Sequence, residues 1–166
     1  MISKKMEKML NEHIKEEFDS SAIYLAISAW CSANDLNGTA LFFRKQAEEE
    51  NAHGMRIYEH LFNVDARAIV PAVAQPPVNY DSVMDIFTKA LEYEQHITGC
   101  INKLVDLANQ EKDYATLTLL NWFVTEQIEE EATFKSILAT IKMIGTDGRG
   151  LYLLDRELGQ RQQTSG

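Results

Sequence analysis

Residues 43–61 read FRKQAEEENAHGMRIYEHL. Steps of four and three from Phe43 select Ala47, Glu50, Gly54, Ile57 and Leu61, a mostly apolar stripe with one carboxylate in its middle. That period is helical, and on a soluble bundle such a stripe faces the core. A bare carboxylate in that position is costly unless something positive compensates it. His53, three residues after Glu50, lies on nearly the same helix face.

Three other stripes repeat the pattern. Leu10, Ile14, Glu17, Ser21, Tyr24 and Ser28 define a helix from about Ser3 to Asn34. Val83, Phe87, Ala90, Glu94, Ile97, Ile101, Leu104 and Ala108 define one from about Ser82 to Gln110, with Asp81 or Ser82 as its N-cap. Leu120, Phe123, Gln127, Glu130, Phe134, Ile137, Ile141 and Ile144 define one from about Tyr114 to Ile144, ended by Gly145. The helix of the opening stretch runs from about Thr39 to Phe62, and the turn cluster Asn34 to Gly38 sets it antiparallel to the first. All three prolines, Pro71, Pro76 and Pro77, fall in the stretch Asn63 to Asp81. About 18 extended residues at ~3.3 Å each reach the ~40 Å length of such helices, so this stretch reads as a crossover that makes helices two and three parallel. After the hinge Asp147 to Gly150, the segment Leu151 to Leu158 places Leu151, Leu154 and Leu158 on one face; it is too short to stand alone and must dock. Gln160 to Gly166 reads as a polar tail. The expectation is one all-α domain over residues 1–166: a four-helix bundle at about 3–145, a short helix at about 150–158 and a tail from 159.

Lys and Arg number 16 against 25 Asp and Glu, a formal charge of −9. No basic surface is available to neutralise phosphates, which excludes nucleic acid as a partner, whereas a cavity that attracts cations fits. No run of about 18 apolar residues exists to span a membrane. Met1 to Lys8 is polar and lacks the apolar region of a secretory signal. Cys31 and Cys100 form no C-x-x-C pair and read as buried free thiols in helices, consistent with a reducing cytoplasm.

Short turns and a full-length crossover bring the midpoints of the four helices to one height, and with them Glu17, Glu50, Glu94 and Glu130. The stripes supply no Lys or Arg, which leaves bound metal cations to balance the charge. Four carboxylates with one imidazole suit a pair of iron or manganese ions rather than a structural zinc. The alternative is a protonated carboxylate core, held by hydrogen bonds to Tyr24, Gln127 and Trp122 and requiring raised pKa values. Glu49, Glu126 and Glu129 flank the stripes; they provide a further cation site or an access path, or else a solvated face. His13, His60 and His96 lack ligand-spaced partners in the core stripes and read as surface or boundary residues.

With these residues in view, the chain from Met6 to Leu158 resembles a ferritin, of the bacterial non-haem type. The motifs that carry the resemblance are Glu17 with Tyr24, Ser28-Ala29-Trp30-Cys31-Ser32, Glu49-Glu50-x-x-His53, Glu94-Gln95, and Trp122 with Glu126-Gln127-x-Glu129-Glu130-Glu131. Gly150-Leu151-Tyr152 and Asp155-x-Glu157-Leu158 close the match. The resemblance implies a ferroxidase coupled to iron storage, in a hollow shell of 24 subunits. Fe(II) would be oxidised by dioxygen or hydrogen peroxide at a di-iron centre inside each bundle and deposited as a ferric oxyhydroxide mineral. It implies Glu17, Glu50 and His53 around the first iron, with Glu50 bridging, and Glu50, Glu94 and Glu130 around the second. Gln127 would sit beside the second iron, and Tyr24 would lie close enough to donate a hydrogen bond or an electron. Glu49, Glu126, Glu129 and Glu130 would match a third, inner iron site, and the short last helix would dock around a four-fold axis. Gln127-x-x-Glu130 stands where bacterioferritin and many di-iron oxygenases carry a second Glu-x-x-His, which favours transient over resident iron. Met6, Met9 and Met55 do not match the haem-ligating position of bacterioferritin, so no haem is expected. Two readings stay open beside this one: a di-iron oxidase or peroxidase that keeps its metals, and a structural bundle whose acids are incidental.

Overall fold

The structure, a computed structural model, describes residues 2–145 and 147–161. Within them lie five helices: α1 (Lys4–Ala33), α2 (Asn37–Asn63), α3 (Val83–Glu111), α4 (Tyr114–Ile144) and α5 (Gly148–Arg161). No described helix is long and apolar enough to cross a membrane. Three of the long helices start on a side-chain cap from their own N-terminus. Ser3 Oγ accepts from the Met6 amide at 2.9 Å, Ser82 Oγ from Asp85 at 3.1 Å and Asp113 Oδ1 from Thr116 at 3.1 Å, each satisfying one of the orphan donors of a first turn.

α2 is different. Its N-cap, Leu36, offers no side-chain acceptor. Asp155 of α5 supplies it instead, accepting from the amides of Gly38 at 3.0 Å and Thr39 at 2.7 Å and from the Thr39 hydroxyl at 2.9 Å. This is why α2 begins at Asn37, two residues ahead of the sequence expectation: a carboxylate from a distant segment satisfies its first turn and complements its dipole. Gly38 permits the approach, since a Cβ there would stand 1.8 Å from the Asp155 carbonyl oxygen.

α5 is also longer than expected. The segment read as a hinge is its first turn, with Asp147 Oδ1 accepting from the Gly150 amide at 2.7 Å. Gln160 and Arg161 extend it at the other end; the rest of the expected tail lies outside the described residues. Leu154 and Leu158 are buried and Leu151 partly so, packed into the chain's own bundle. Tyr152 and Leu153 remain exposed.

The crossover from 64 to 82 follows α1 along its length, as the sequence suggested. The Ile69 amide donates to Asn11 Oδ1 at 2.6 Å, and Asn11 Nδ2 to the Arg67 carbonyl at 2.9 Å. Further on, the Ala74 amide donates to Asp19 Oδ1 at 3.1 Å, and Tyr80 packs edge-on against Trp30. These contacts deliver the chain to the start of α3 at the end of the bundle where α2 also starts.

Among the described residues the buried apolar side chains form two clusters. Tyr24, Phe43, Phe87 and Phe134 centre one cluster; Leu10, Ile57, Leu104 and Phe123 belong to the other. In each helix the glutamate of the stripe falls between the segments that feed the two clusters, so a polar layer crosses the bundle at mid-height.

Asp155→Ala is expected to cost about 1–2 kcal/mol, read as a lower melting temperature with α5 and the first turn of α2 losing amide-exchange protection together. Gly38→Ala should do the same more severely, because its clash is with backbone.

Candidate metal centre

Four helices converge on the layer. Glu17, Glu50 and Glu94 are each 1 % exposed, Glu130 and His53 6 %. The ligand atoms of Glu17, Glu50 and His53 all lie within 4.8 Å of one another. His53 Nδ1 stands 3.5 Å from Glu50 Oε2, the i,i+3 spacing placing both on one face of α2. Gly54 makes room for this face: a Cβ there would meet the Phe18 ring of α1 at 2.5 Å and Glu17 Cβ at 3.4 Å. His53 is wedged edge-on between the rings of Trp122 at 5.4 Å and Phe123 at 5.9 Å. Burial lowers its pKa, which holds the imidazole in the neutral, ligating form.

The second half of the layer is organised by hydrogen bonds. The Tyr24 hydroxyl donates to Glu94 Oε1. Gln127 Nε2 donates to Glu94 Oε2 and to the Glu94 carbonyl oxygen, both at 3.1 Å. Gln46 Nε2 reaches Glu130, at 3.1 Å and 3.3 Å to its two oxygens. Gln46 was not legible as a site residue, although its position one turn before Glu50 was the available signal.

The first half is not satisfied. Both oxygens of Glu17 and Oε1 of Glu50 are buried without a hydrogen-bond partner. Among the described residues no Lys or Arg pairs with any of the four glutamates; their ion-pair partners are His13 and His53. Burial, and after it the charge of Glu17, raises Glu50 well above the ordinary carboxylate range; Glu94 and Glu130 add to the effect. Burial likewise pushes Glu130 up to about 9 and Glu94 up to about 7. Unpartnered oxygens, mutually repelling carboxylates and a neutral imidazole are what a pair of hard cations would satisfy.

His13 corrects the sequence reading. It is 2 % exposed, not a boundary residue, and its Nε2 lies 3.0 Å from Glu17 Oε1, off the line of a good hydrogen bond. The i+4 spacing from His13 to Glu17 was the overlooked signal. Burial disfavours the charged imidazole, but the adjoining Cys100 thiol and Glu17 carboxylate outweigh it and push His13 up to about 9. Burial also acts against Glu17, yet His13 holds its carboxyl below the ordinary value. His60 is half-buried against Thr116 and His96 is exposed, as expected. Cys31 is buried; Cys100 is only half-buried.

Of the flanking acids, Glu126 is half-buried with Oε1 4.0 Å from His53 Nε2, and Glu49 is exposed on the neighbouring face. Glu49 and Glu126 both raise Glu130 by their charge. Glu129 is exposed.

Residues 7–144 match the family described as a ferritin-like domain. The bacterial non-heme ferritin of Campylobacter jejuni is 42 % identical over 156 residues, covering 94 % of this chain and 93 % of that protein. The protein of the same description from Staphylococcus aureus is 38 % identical over 161 residues, covering 97 % of each. The crystal structure of an open-pore ferritin from Archaeoglobus fulgidus superposes with a TM-score of 0.94 at 37 % identity, covering 96 % of this chain and 98 % of that one.

The metal-free layer has a pH signature. Glu130 and Glu94 keep their protons up to about 9 and about 7, where the unfolded chain has already lost them, and His13 keeps its own up to about 9. The folded state then binds more protons than the unfolded one, so stability falls as pH rises. The melting temperature of the metal-free protein should drop steadily from pH 6 to pH 9, and a bound divalent cation, which displaces those protons, should reverse the slope.

Proposed function

The chain belongs to the ferritin family, iron-storing ferroxidases, and from that premise we propose how its own residues divide the work. Fe(II) is both the substrate and the cargo. Glu17, Glu50 and His53 hold the first ion, and Glu94 and Glu130 hold the second. Glu50 bridges the two, a role supported by its position among Glu17, Glu94 and Glu130, each of which raises its pKa. The observation that carries this reading is that both Glu17 oxygens and Glu50 Oε1 are buried without a hydrogen-bond partner, with only imidazoles beside them. A protonated structural core would have to leave these oxygens without hydrogen bonds, at a cost of about 1–3 kcal/mol per group.

Two Fe(II) ions held side by side give up one electron each. Dioxygen accepts both with two protons and leaves as hydrogen peroxide, or peroxide accepts both with two protons and leaves as two waters. The added positive charge on the oxidised pair is neutralised by carboxylates that enter the reaction partly protonated, so Glu94 and Glu130 release protons as they bind. Tyr24 and Gln127 fix the Glu94 carboxylate from one side. With one imidazole among flexible glutamates the oxidised ions are weakly retained and move on to the mineral. Glu49, Glu126, Glu129 and Glu130 form a third, inner site on that path.

Assembly into a hollow shell of 24 subunits in the cytoplasm completes the proposal. It is supported by apolar residues left bare on the single chain. Ile69, Val70, Val73 and Val78 of the crossover are exposed by 58 %, 74 %, 48 % and 69 %, a density unusual for a solvated loop. The unpaired cysteines fit a reducing compartment.

The test is anaerobic Fe(II) titration of the metal-free protein, followed by admission of air with absorbance and particle size recorded. About two to three Fe(II) per chain, then oxidation and continued uptake into a large particle, is the expected result. Glu50→Ala and His53→Ala should lower the initial oxidation rate at least about tenfold while leaving helix content intact. Saturation at about two ions without mineral would indicate a resident cofactor, and an absence of binding would mean the acids are structural.

A further inference from the structure

Gln127 supports Glu94 only while its amide nitrogen, not its amide oxygen, faces that carboxylate. Nε2 stands 3.1 Å from Glu94 Oε2; with the amide turned over, two acceptor oxygens would meet there and repel. Packing does not set the choice. A cleft of about 340 Å³ lies against Gln127 between α3 and α4, lined also by Thr98, Ile101, Ile128, Glu131 and Lys135. What acts on the amide from that side is hydrogen bonding, and Gln127 Nε2 reaches Thr98 Oγ1 at 3.3 Å.

A hydroxyl carries one proton and can also accept, so Thr98 helps Gln127 only if its own proton goes elsewhere. Two acceptors are in reach: the Glu94 carbonyl oxygen at 3.0 Å and Glu131 Oε1 at 2.8 Å. The carbonyl already receives Gln127 Nε2 at 3.1 Å. Glu131 is the nearer, and it is ion-paired with Lys135 at 2.7 Å; a charged acceptor makes the stronger bond. With its proton committed to Glu131, Thr98 turns a lone pair to Gln127. Thr88, Thr118 and Thr125 differ: they are exposed and bond only the carbonyl four residues back.

We propose that Thr98 and Glu131 are positioning residues for the second metal ion. Donors run in one direction, from Gln127 to Thr98 to Glu131, and this chain fixes which end of the Gln127 amide meets Glu94. The proposal rests on the ferroxidase reading and extends that site to an acid at the edge of the α3/α4 cleft. Outer partners of this kind orient a ligand before the ion arrives.

The experiment is anaerobic calorimetric titration of Fe(II) into the metal-free full chain, with initial oxidation rates recorded once air is admitted. The unaltered protein should show a separate binding step for each of the two ions. Thr98→Val removes the hydroxyl and nearly keeps the shape. It should weaken the second step at least about tenfold and slow oxidation, leaving the first step, at Glu17, Glu50 and His53, unchanged. Thr98→Ser should restore both readouts. Glu131→Ala should weaken the same step and, added to Thr98→Val, should cost nothing further, because both break one chain. Thr88→Val should behave as the unaltered protein. Circular dichroism verifies that each variant is folded; if Thr98→Val is not, Glu131→Ala decides alone, and an unchanged second step there overturns the proposal. A folded Thr98→Val with both steps intact, or with both weakened alike, would overturn it. So would losses at Thr98 and Glu131 that add, as a lost contact and a separately lost charge would. No Fe(II) binding by the unaltered protein would overturn this proposal and the ferroxidase reading together, whereas intact binding with an inert Thr98 sinks this proposal alone.

Discussion

Uncompensated negative charge in a dry interior is the constraint on which this molecule turns. Four glutamates from four helices meet at one height, almost free of solvent, and among the described residues two imidazoles and no Lys or Arg oppose them. Left to itself such a layer can exist only by taking up protons, and the raised pKa values of Glu50, Glu94 and Glu130 describe that state. The protons occupy places that cations fill better. Affinity for metal and instability without it are therefore one property seen from two sides.

The remainder of the fold is arranged to make that layer tolerable. Two apolar clusters, one on each side, provide the hydrophobic burial that a polar mid-section forgoes. Gln46, Gln127 and Tyr24 fix Glu130 and Glu94 by direct hydrogen bonds, whereas Glu17 and Glu50 keep unpartnered oxygens. The asymmetry means that one half of the layer is rigidly presented and the other half is left to be organised by whatever binds. Gly54 sits where α2 packs on α1, and a Cβ there would force Phe18 aside.

Helical period made most of this legible in advance. The stripes through Glu17, Glu50, Glu94 and Glu130 identify the bundle, because burial on a helix repeats every three or four residues and an acid in such a stripe is conspicuous. The crossover was readable from its length and its prolines. What escaped was set by contacts between segments remote in sequence. His13 stands four residues before Glu17 but beside the apolar stripe of α1, whose step of four from Leu10 falls on Ile14. Gln46 acts on Glu130, 84 positions away, and its place one turn before Glu50 does not reveal that partner. The start of α2 and the extent of α5 depend on Asp155 and on Asp147, acids whose capping role becomes visible only when the helices are docked.

The Asp155 contact bears on how the chain is made. Synthesis runs from the N-terminus, so α1 to α4 emerge well before the carboxylate that finishes the first turn of α2, which lies 117 residues downstream of Gly38. Until the last segment is released, α2 begins with unsatisfied amides and the α5 groove lies open, its apolar lining bare. The finished N-terminus of α2 is thus a mark of a chain that extends through α5. A chain that stops before Asp155 lacks it, and with it the fixed α5 surface that Tyr152 and Leu153 present outward. A helix cap in this sense records how far synthesis has gone: the start of α2 is completed only when α5 has docked.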